Sequence, residues 1–492
     1  MSKNVVIIGA GPAGITAAYE LAKRGHQVCV LESSSQVGGL SRTVELWNQK
    51  VDLGPHRFFS KDPRINAVWL EVLGRDYAMV NRLTRIYHNG AFYHYPLKPV
   101  NALLTMGPFK ALQCVLSYMA TWLRKTDSSQ QTFEDWVIAR FGRKLYEMFF
   151  KTYSEKLWGI PCTKLDKDFA AQRIKKFSMG EAIKSAFGWS KTKHKTLVDC
   201  FAYPIEGSGM VYERMATAVR AAGGRVELEC PVAKVCLKGD RVSGVELQNG
   251  TFIPADEVIS TMPLTLMVRS LFTQLSEDLK AALDALRYRN TILVYLKVNR
   301  EDLFADQWLY CHSEGIGFGR ITNFRNWVPG LYGDESGTIL ALEYWCNDDD
   351  AMWSESPAML IRRAEQDLRK TGLIEGADVL DGKVIPIPRC YPIYEIGYSA
   401  HVETVIRHLE PITNLTPIGR YGSFKYNNQD HSILMGLLAA ENIDLGYRKH
   451  DLWSVNTDYD DYQEQCVINE TGLVFDNAAT RDTTTGSPTL SQ

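Results

Sequence analysis

Residues 5–14, Val-Val-Ile-Ile-Gly-Ala-Gly-Pro-Ala-Gly, leave this chain few ways to begin folding. The β-branched run predicts a buried strand, and the Ala-rich run after Gly14 predicts a helix. Gly9, Gly11 and Gly14 stand at the junction as G-x-G-x-x-G. The first glycine permits the tight turn, the second lets backbone approach a pyrophosphate, and the third lets helix and strand pack closely. The helix opened by Pro12 and Ala13 points its N-terminus at the anion. Glu32 closes a second strand, Gln27 to Leu31, at the distance where a carboxylate accepts from both ribose hydroxyls. Strand, glycines, helix, strand and acid in this order predict a dinucleotide-binding unit over residues 1–50, with NAD and FAD both open.

The rest of the chain limits the classes of function. A length of 492 residues predicts two or three domains with ample core. The formal net charge of -2 offers no basic field for nucleic acid. The first strand starts almost at once, which leaves no room for a targeting peptide and makes a cytoplasmic protein the expectation. Ten cysteines are scattered without a C-x-x-C pair or a Cys/His cluster, so reduced thiols and no metal site are expected. The run Ala111 to Leu123 is apolar and flanked by Lys110 and Arg124-Lys125. It is too short for a bilayer span, which needs about 20 residues. It is read as a buried or amphipathic helix, with contact at a membrane surface as the alternative.

After Glu32 the chain reads Ser-Ser-Ser-Gln-Val-Gly38-Gly39-Leu-Ser-Arg42. This resembles the second half of the FAD fingerprint in amine-oxidase-like flavoproteins, where a Gly-Gly turn and an arginine meet phosphates and ribityl chain. The resemblance selects FAD over NAD. It also implies that the segment from Met210 to Thr261 returns to the cofactor, with Val232 lending backbone atoms to the adenine. Gly419 and Arg420 complete the site. The fold expected is α/β, a discontinuous Rossmann-like FAD-binding domain (residues 1–80, 200–270 and 400–450) with an inserted α+β substrate domain. Residues 81–199 of that insertion are expected to be mainly helical, with one helical pattern from Phe133 to Tyr153, and residues 271–399 sheet-rich. Lys184 to Lys195 reads as a basic loop, and residues 477–492 as a disordered tail.

Four further segments stand in order: Val51 to Phe59, Ile86 to Pro96, Tyr153 to Gly159, and Gly419 to Asp430. Together they are similar to UDP-galactopyranose mutase and its flavin-dependent sugar-mutase relatives. That family contracts a nucleotide-linked pyranose to the furanose without net redox change, with N5 of reduced flavin as nucleophile. The resemblance implies that Arg173 and Arg320 clamp the diphosphate, because a planar guanidinium matches it bidentately. It implies that Tyr153 stacks on the base, that Trp158 lines the sugar pocket, and that Tyr391 and Tyr426 donate to the diphosphate. His56 falls on the loop that passes the flavin. Surface ion pairs for the arginines and core roles for Tyr153 and Trp158 are the competing readings. The chain departs from the family at Asn428, where an acid is usual, and in the basic insertion after Arg173. The function expected is an FAD-dependent mutase acting on a nucleotide-diphosphate sugar. An oxidoreductase of the amine-oxidase or protoporphyrinogen-oxidase type, acting on another small molecule, is the alternative.

Overall fold

The computed structural model describes residues 2–97, 99–122, 132–169, 200–456, 468–470 and 472–473. Arg173, the basic loop at 184–195 and the tail at 477–492 lie outside the described residues. The opening residues form the expected unit: strand Asn4–Ile8, helix Pro12–Lys23 and strand Gln27–Leu31, the two strands parallel. Strand Asn4–Ile8 lies at the centre of a five-stranded parallel sheet. Its order is Leu415–Pro417, Glu257–Ser260, Asn4–Ile8, Gln27–Leu31, Arg225–Glu227. Three separated stretches of chain therefore supply one sheet, which makes this layer discontinuous in sequence.

Helices Pro12–Lys23, Gly209–Ala221 and Gln429–Leu445 pack together over this sheet. The first and third touch through their backbones: a Cβ on Gly436 would lie 2.6 Å from the carbonyl oxygen of Ala13. Ile7, Val30, Ile259, Val211 and Ile433 meet in the core beneath them.

The second layer is a seven-stranded sheet. It runs Val379–Pro392, Tyr288–Val298, Thr338–Cys346, Arg320–Asn323, Trp308–Cys311, Thr84–His88, Ala91–His94. Its last two strands come from the N-terminal side of the insertion, and Thr84–His88 pairs in parallel with Trp308–Cys311. Helix Pro357–Lys370 closes one face, where Leu360, Ala364 and Leu368 sit on Val294 and Leu342. The other face meets the end of strand Gln49–Asp52, where the Tyr295 hydroxyl donates to Asp52 O at 2.8 Å.

The helical pattern expected from Phe133 to Tyr153 is interrupted. Helix Phe133–Phe141 ends at Gly142, whose φ of 80° stops it, and helix Arg143–Tyr146 follows. A Cβ on Gly142 would lie 2.8 Å from the backbone nitrogen of Tyr118, so glycine is required twice over at this corner. Residues Glu147–Lys151 then widen into a π turn before helix Thr152–Trp158. Such a turn inserts one residue and rotates everything after it, which re-aims Tyr153 and Trp158.

Candidate active site

The site is assembled on the glycine loops. Gly9 has φ 95°, and a Cβ there would lie 2.1 Å from Oγ1 of Thr261. A Cβ on Gly14 would lie 2.1 Å from the carbonyl oxygen of Gly9. Gly11 caps helix Pro12–Lys23, and Pro12 at its first position withholds no donor that the helix needs. The Gly38-Gly39 turn folds back on this loop. Gly38 N donates to Ala10 O at 2.8 Å, and a Cβ on Gly39 would lie 2.9 Å from Cα of Gly11. Gly419, with φ 80°, brings the third stretch of chain against Ala13.

The Glu32 carboxylate accepts from Ala10 N at 2.7 Å and from the nitrogen and hydroxyl of Ser34, both at 2.8 Å. Cys230 N donates to Glu32 O at 2.8 Å, which brings the start of strand Val232–Lys238 beside the acid. Glu229, immediately before Cys230, has the unfavourable φ of 54°. Among the described residues, the buried Nε of Arg42 has no hydrogen-bond partner. A backbone cradle that any side chain would fill, an acid at one end and an unanswered guanidinium nitrogen at the other fit an FAD.

The second half of the site lies on the seven-stranded sheet. Tyr310, Arg320 and Glu343 are direct cross-strand partners, so sheet register alone puts them in a row. Arg320 donates to Glu343 through Nε and Nη2, both at 2.5 Å. Among the described residues this fork-on-fork pair takes one edge of the guanidinium and leaves the Nη1 side for a ligand. Glu343, in the wholly buried strand Thr338–Cys346, was not singled out by sequence reasoning. A carboxylate inside a two-sided apolar strand is the signal that could have found it.

Tyr153 stacks on His312 at 4.7 Å and meets Tyr310 and Trp345 edge-on. Trp158 is completely buried and packs edge-on against Phe169, Tyr426 and Tyr391. Its indole Nε1 has no hydrogen-bond partner among the described residues. Tyr391 and Tyr426 stack at 5.4 Å, and the Arg420 guanidinium lies over both rings. Arg389 (φ 55°) and Phe424 (φ 51°), each two residues before one of those tyrosines, hold left-handed conformations that such side chains rarely adopt. Strain of this kind persists where surrounding structure fixes it, and here it aims the tyrosine pair.

The loop Leu53–His56 joins the halves. Gly54 (φ 139°) lies against Glu343, His56 and Arg320, while Gln429 donates to His56 O at 3.2 Å. The structure therefore brings His56, Tyr153, Trp158, Arg320, Tyr391, Arg420 and Tyr426 into one neighbourhood. Asn428, the departure from the acid of the family, caps helix Gln429–Leu445 with His431 in a reciprocal capping box.

The buried histidines set an acid limit. Burial, aided by Arg320 and Arg420, pushes His56 down to about 3. Burial, aided by Lys156 and His88, pushes His312 down to about 3 as well. Both are neutral when folded, whereas an unfolded histidine titrates near ~6.5. As pH falls below that value, the unfolded chain takes up protons that the folded chain refuses, and stability declines toward pH 3. Asp52 has the opposite sign. Burial pushes its carboxyl up to about 7 against hydrogen bonds from Thr43, Tyr203 and Ser208, so its contribution declines as pH rises toward 7. Replacing His312 with Gln is expected to flatten the acid slope by ~1.4 kcal/mol per pH unit, read from urea midpoints between about pH 6 and about pH 4.5. An unchanged slope would contradict a neutral His312.

Comparison with known proteins follows the same lines. The family model for flavin containing amine oxidoreductase matches residues 12–384. A protein of Klebsiella pneumoniae described as a probable UDP-galactopyranose mutase is 32% identical over 177 residues, 33% of this chain and 43% of that protein. An L-amino-acid oxidase of Crotalus adamanteus is 39% identical over 111 residues, 20% of this chain and 22% of that protein. The aligned part is thus less than half of either relative. A crystal structure of reduced UDP-galactopyranose mutase superposes with a TM-score of 0.80 at 20% identity, covering 93% of this chain and 98% of that one. That last likeness is one of fold.

Proposed function

From the premise that the chain belongs to the flavin containing amine oxidoreductase family, we propose that it is an FAD-dependent pyranose–furanose mutase acting on a nucleotide-diphosphate sugar. The observation that carries this reading is the Arg320 guanidinium, held by Glu343 with one edge left over, beside the tyrosine pair and the Gly54–His56 loop. Gly9, Gly11, Gly14, Glu32, Gly38, Gly39, Arg42, Val232 and Gly419 hold the cofactor. A reduced flavin bound there supplies a nucleophilic nitrogen with no net oxidation of the sugar.

The chain's own residues bind and orient. Arg320 holds the departing diphosphate, with Arg173 as the second arginine. Tyr391 and Tyr426 donate to the same oxygens, and Arg420 keeps their rings parallel. Tyr153 offers a ring edge or face to the base, and Trp158 closes the sugar side against water. His56, neutral at every working pH, accepts or donates at a ring nitrogen without adding charge. The same reading places the protein in the cytoplasm and residues 81–199 and 271–399 on the substrate side of the site.

A second reading, an FAD-dependent oxidoreductase acting on another small molecule, rests on one observation. The charge of Arg320 is already answered by Glu343, so this pair adds no net charge for a diphosphate. UDP titration of the dithionite-reduced protein separates the two. The mutase reading expects saturable UDP binding, sugar turnover only after reduction, and no oxygen uptake. Oxygen consumption with an amine or porphyrinogen, together with indifference to UDP, would establish the oxidoreductase instead.

A further inference from the structure

The apolar run first read as a buried or amphipathic helix is half unburied. Helices Pro99–Met106 and Pro108–Trp122 form a hairpin about Gly107, whose φ is 81°. Its inner side is core: Ala102, Met106 and Cys114 are buried, and the Cys114 thiol lies 3.9 Å from the Met106 sulfur. Its outer side carries Leu104, Phe109, Leu112, Leu116 and Met119, each between 49% and 77% exposed. On the second helix the spacing of three, four and three residues puts them along one face. A contiguous apolar stripe of this kind on a water-facing surface marks an interaction site.

Charge identifies the partner. No aspartate or glutamate occurs between Asp76 and Asp127, whereas Lys110 is exposed within the stripe. In sequence, Lys98 precedes the hairpin and Arg124-Lys125 follow it. Arg143 and Lys144, half-exposed, flank the second helix, where Lys144 N donates to the Ser117 hydroxyl. Their pairings with Glu134 and Glu147 are surface ion pairs worth little. A second copy docked symmetrically on this face would bring the cations of both hairpins together with no carboxylate on either to answer them. An anionic lipid surface answers both features, because headgroups meet the cations and the acyl boundary takes the leucines. The helix has 15 residues, roughly 22 Å of length, against about 30 Å of hydrocarbon. Among the described residues no helix is long and apolar enough to cross a membrane.

We propose that the outer face of the Pro99–Met106/Pro108–Trp122 hairpin is a docking surface that lies in the plane of an anionic lipid bilayer. It stands independently of the sugar-mutase reading.

The test is flotation of the flavin-loaded full chain with vesicles. With about 30% phosphatidylglycerol in phosphatidylcholine, the bound fraction is expected to exceed that on phosphatidylcholine alone by about tenfold. The Phe109→Glu/Leu116→Glu double variant should lose about tenfold in binding with its flavin spectrum and melting temperature unchanged. Lys110→Glu should lose the preference for phosphatidylglycerol while retaining its fold. A wild-type chain that stays unbound, or a double variant that floats equally well, would overturn the proposal. So would a wild-type dimer in light scattering that binds no vesicles and that the double variant converts to monomer; the face would then join two copies.

Discussion

Gly14→Val is expected to yield protein with no bound flavin. The first added carbon falls 2.1 Å from the Gly9 carbonyl oxygen and 3.3 Å from Cγ2 of Ile7, and both neighbours are fixed by the central strand. Neither can retreat without opening the turn that presents the helix N-terminus, so the cradle and the strand–helix contact fail together. The informative control is Gly25→Ala. Gly25 also has a positive φ, 82°, yet nothing lies within 4 Å of where its Cβ would be. That variant bears only backbone strain, about 1 kcal/mol, and should keep a full complement of flavin. Absorbance at the flavin band relative to protein distinguishes the two. A Gly14→Val protein that is as yellow as the wild type would sink the assignment of this loop as the pyrophosphate cradle.

The second large effect belongs to Arg320. Alanine there removes the proposed ligand contact and strands Glu343, whose side chain is only 2% exposed, without its partner. An uncompensated buried carboxylate costs ~3–5 kcal/mol when one member of such a pair is removed. Arg320→Ala should therefore lose both UDP binding and much of its stability. Adding Glu343→Gln to it should restore most of the stability, since no buried charge remains, and none of the binding. That split separates a ligand-holding arginine from a merely structural one. If the double variant regains UDP binding along with stability, Arg320 serves the fold alone.

How much of this could be read beforehand follows from the kind of force involved. The glycine loops were legible because most of the clash is local: Gly14 meets Gly9 and Ile7, and Gly39 meets Gly11 across the fingerprint, whereas the contact of Gly9 with Thr261 comes from the distant returning strand. The parallel layer was legible because buried strands of Val and Ile alternate with a helical period. Glu343 and His312 were not, because each acquires its meaning from a partner across the sheet or across a helix, which only register supplies. The break at Gly142 was hidden for a related reason, since apolar spacing runs through it while the left-handed glycine, packed against the backbone of Tyr118, turns the chain. The exposed face of Pro108–Trp122 was obscured because an apolar residue reads alike whether it meets core or water. Arg173 rests on resemblance and lies outside the described residues.

The order of strands in the parallel layer has a consequence for how the protein comes into being. Strand Asn4–Ile8 is flanked on one side by Glu257–Ser260, and that strand by Leu415–Pro417. A ribosome adding ~5–20 residues per second makes the first of these neighbours roughly 10–50 seconds after the central strand. Throughout that interval one edge of the nascent sheet presents unpaired backbone to whatever else is nearby. With Gly419 in the proposed cofactor site, capture of the flavin would wait longer still, until that residue has been translated. The yield of flavin-loaded protein in cells is therefore expected to fall, and aggregation to rise, when translation is slowed without chaperones to shield this early edge.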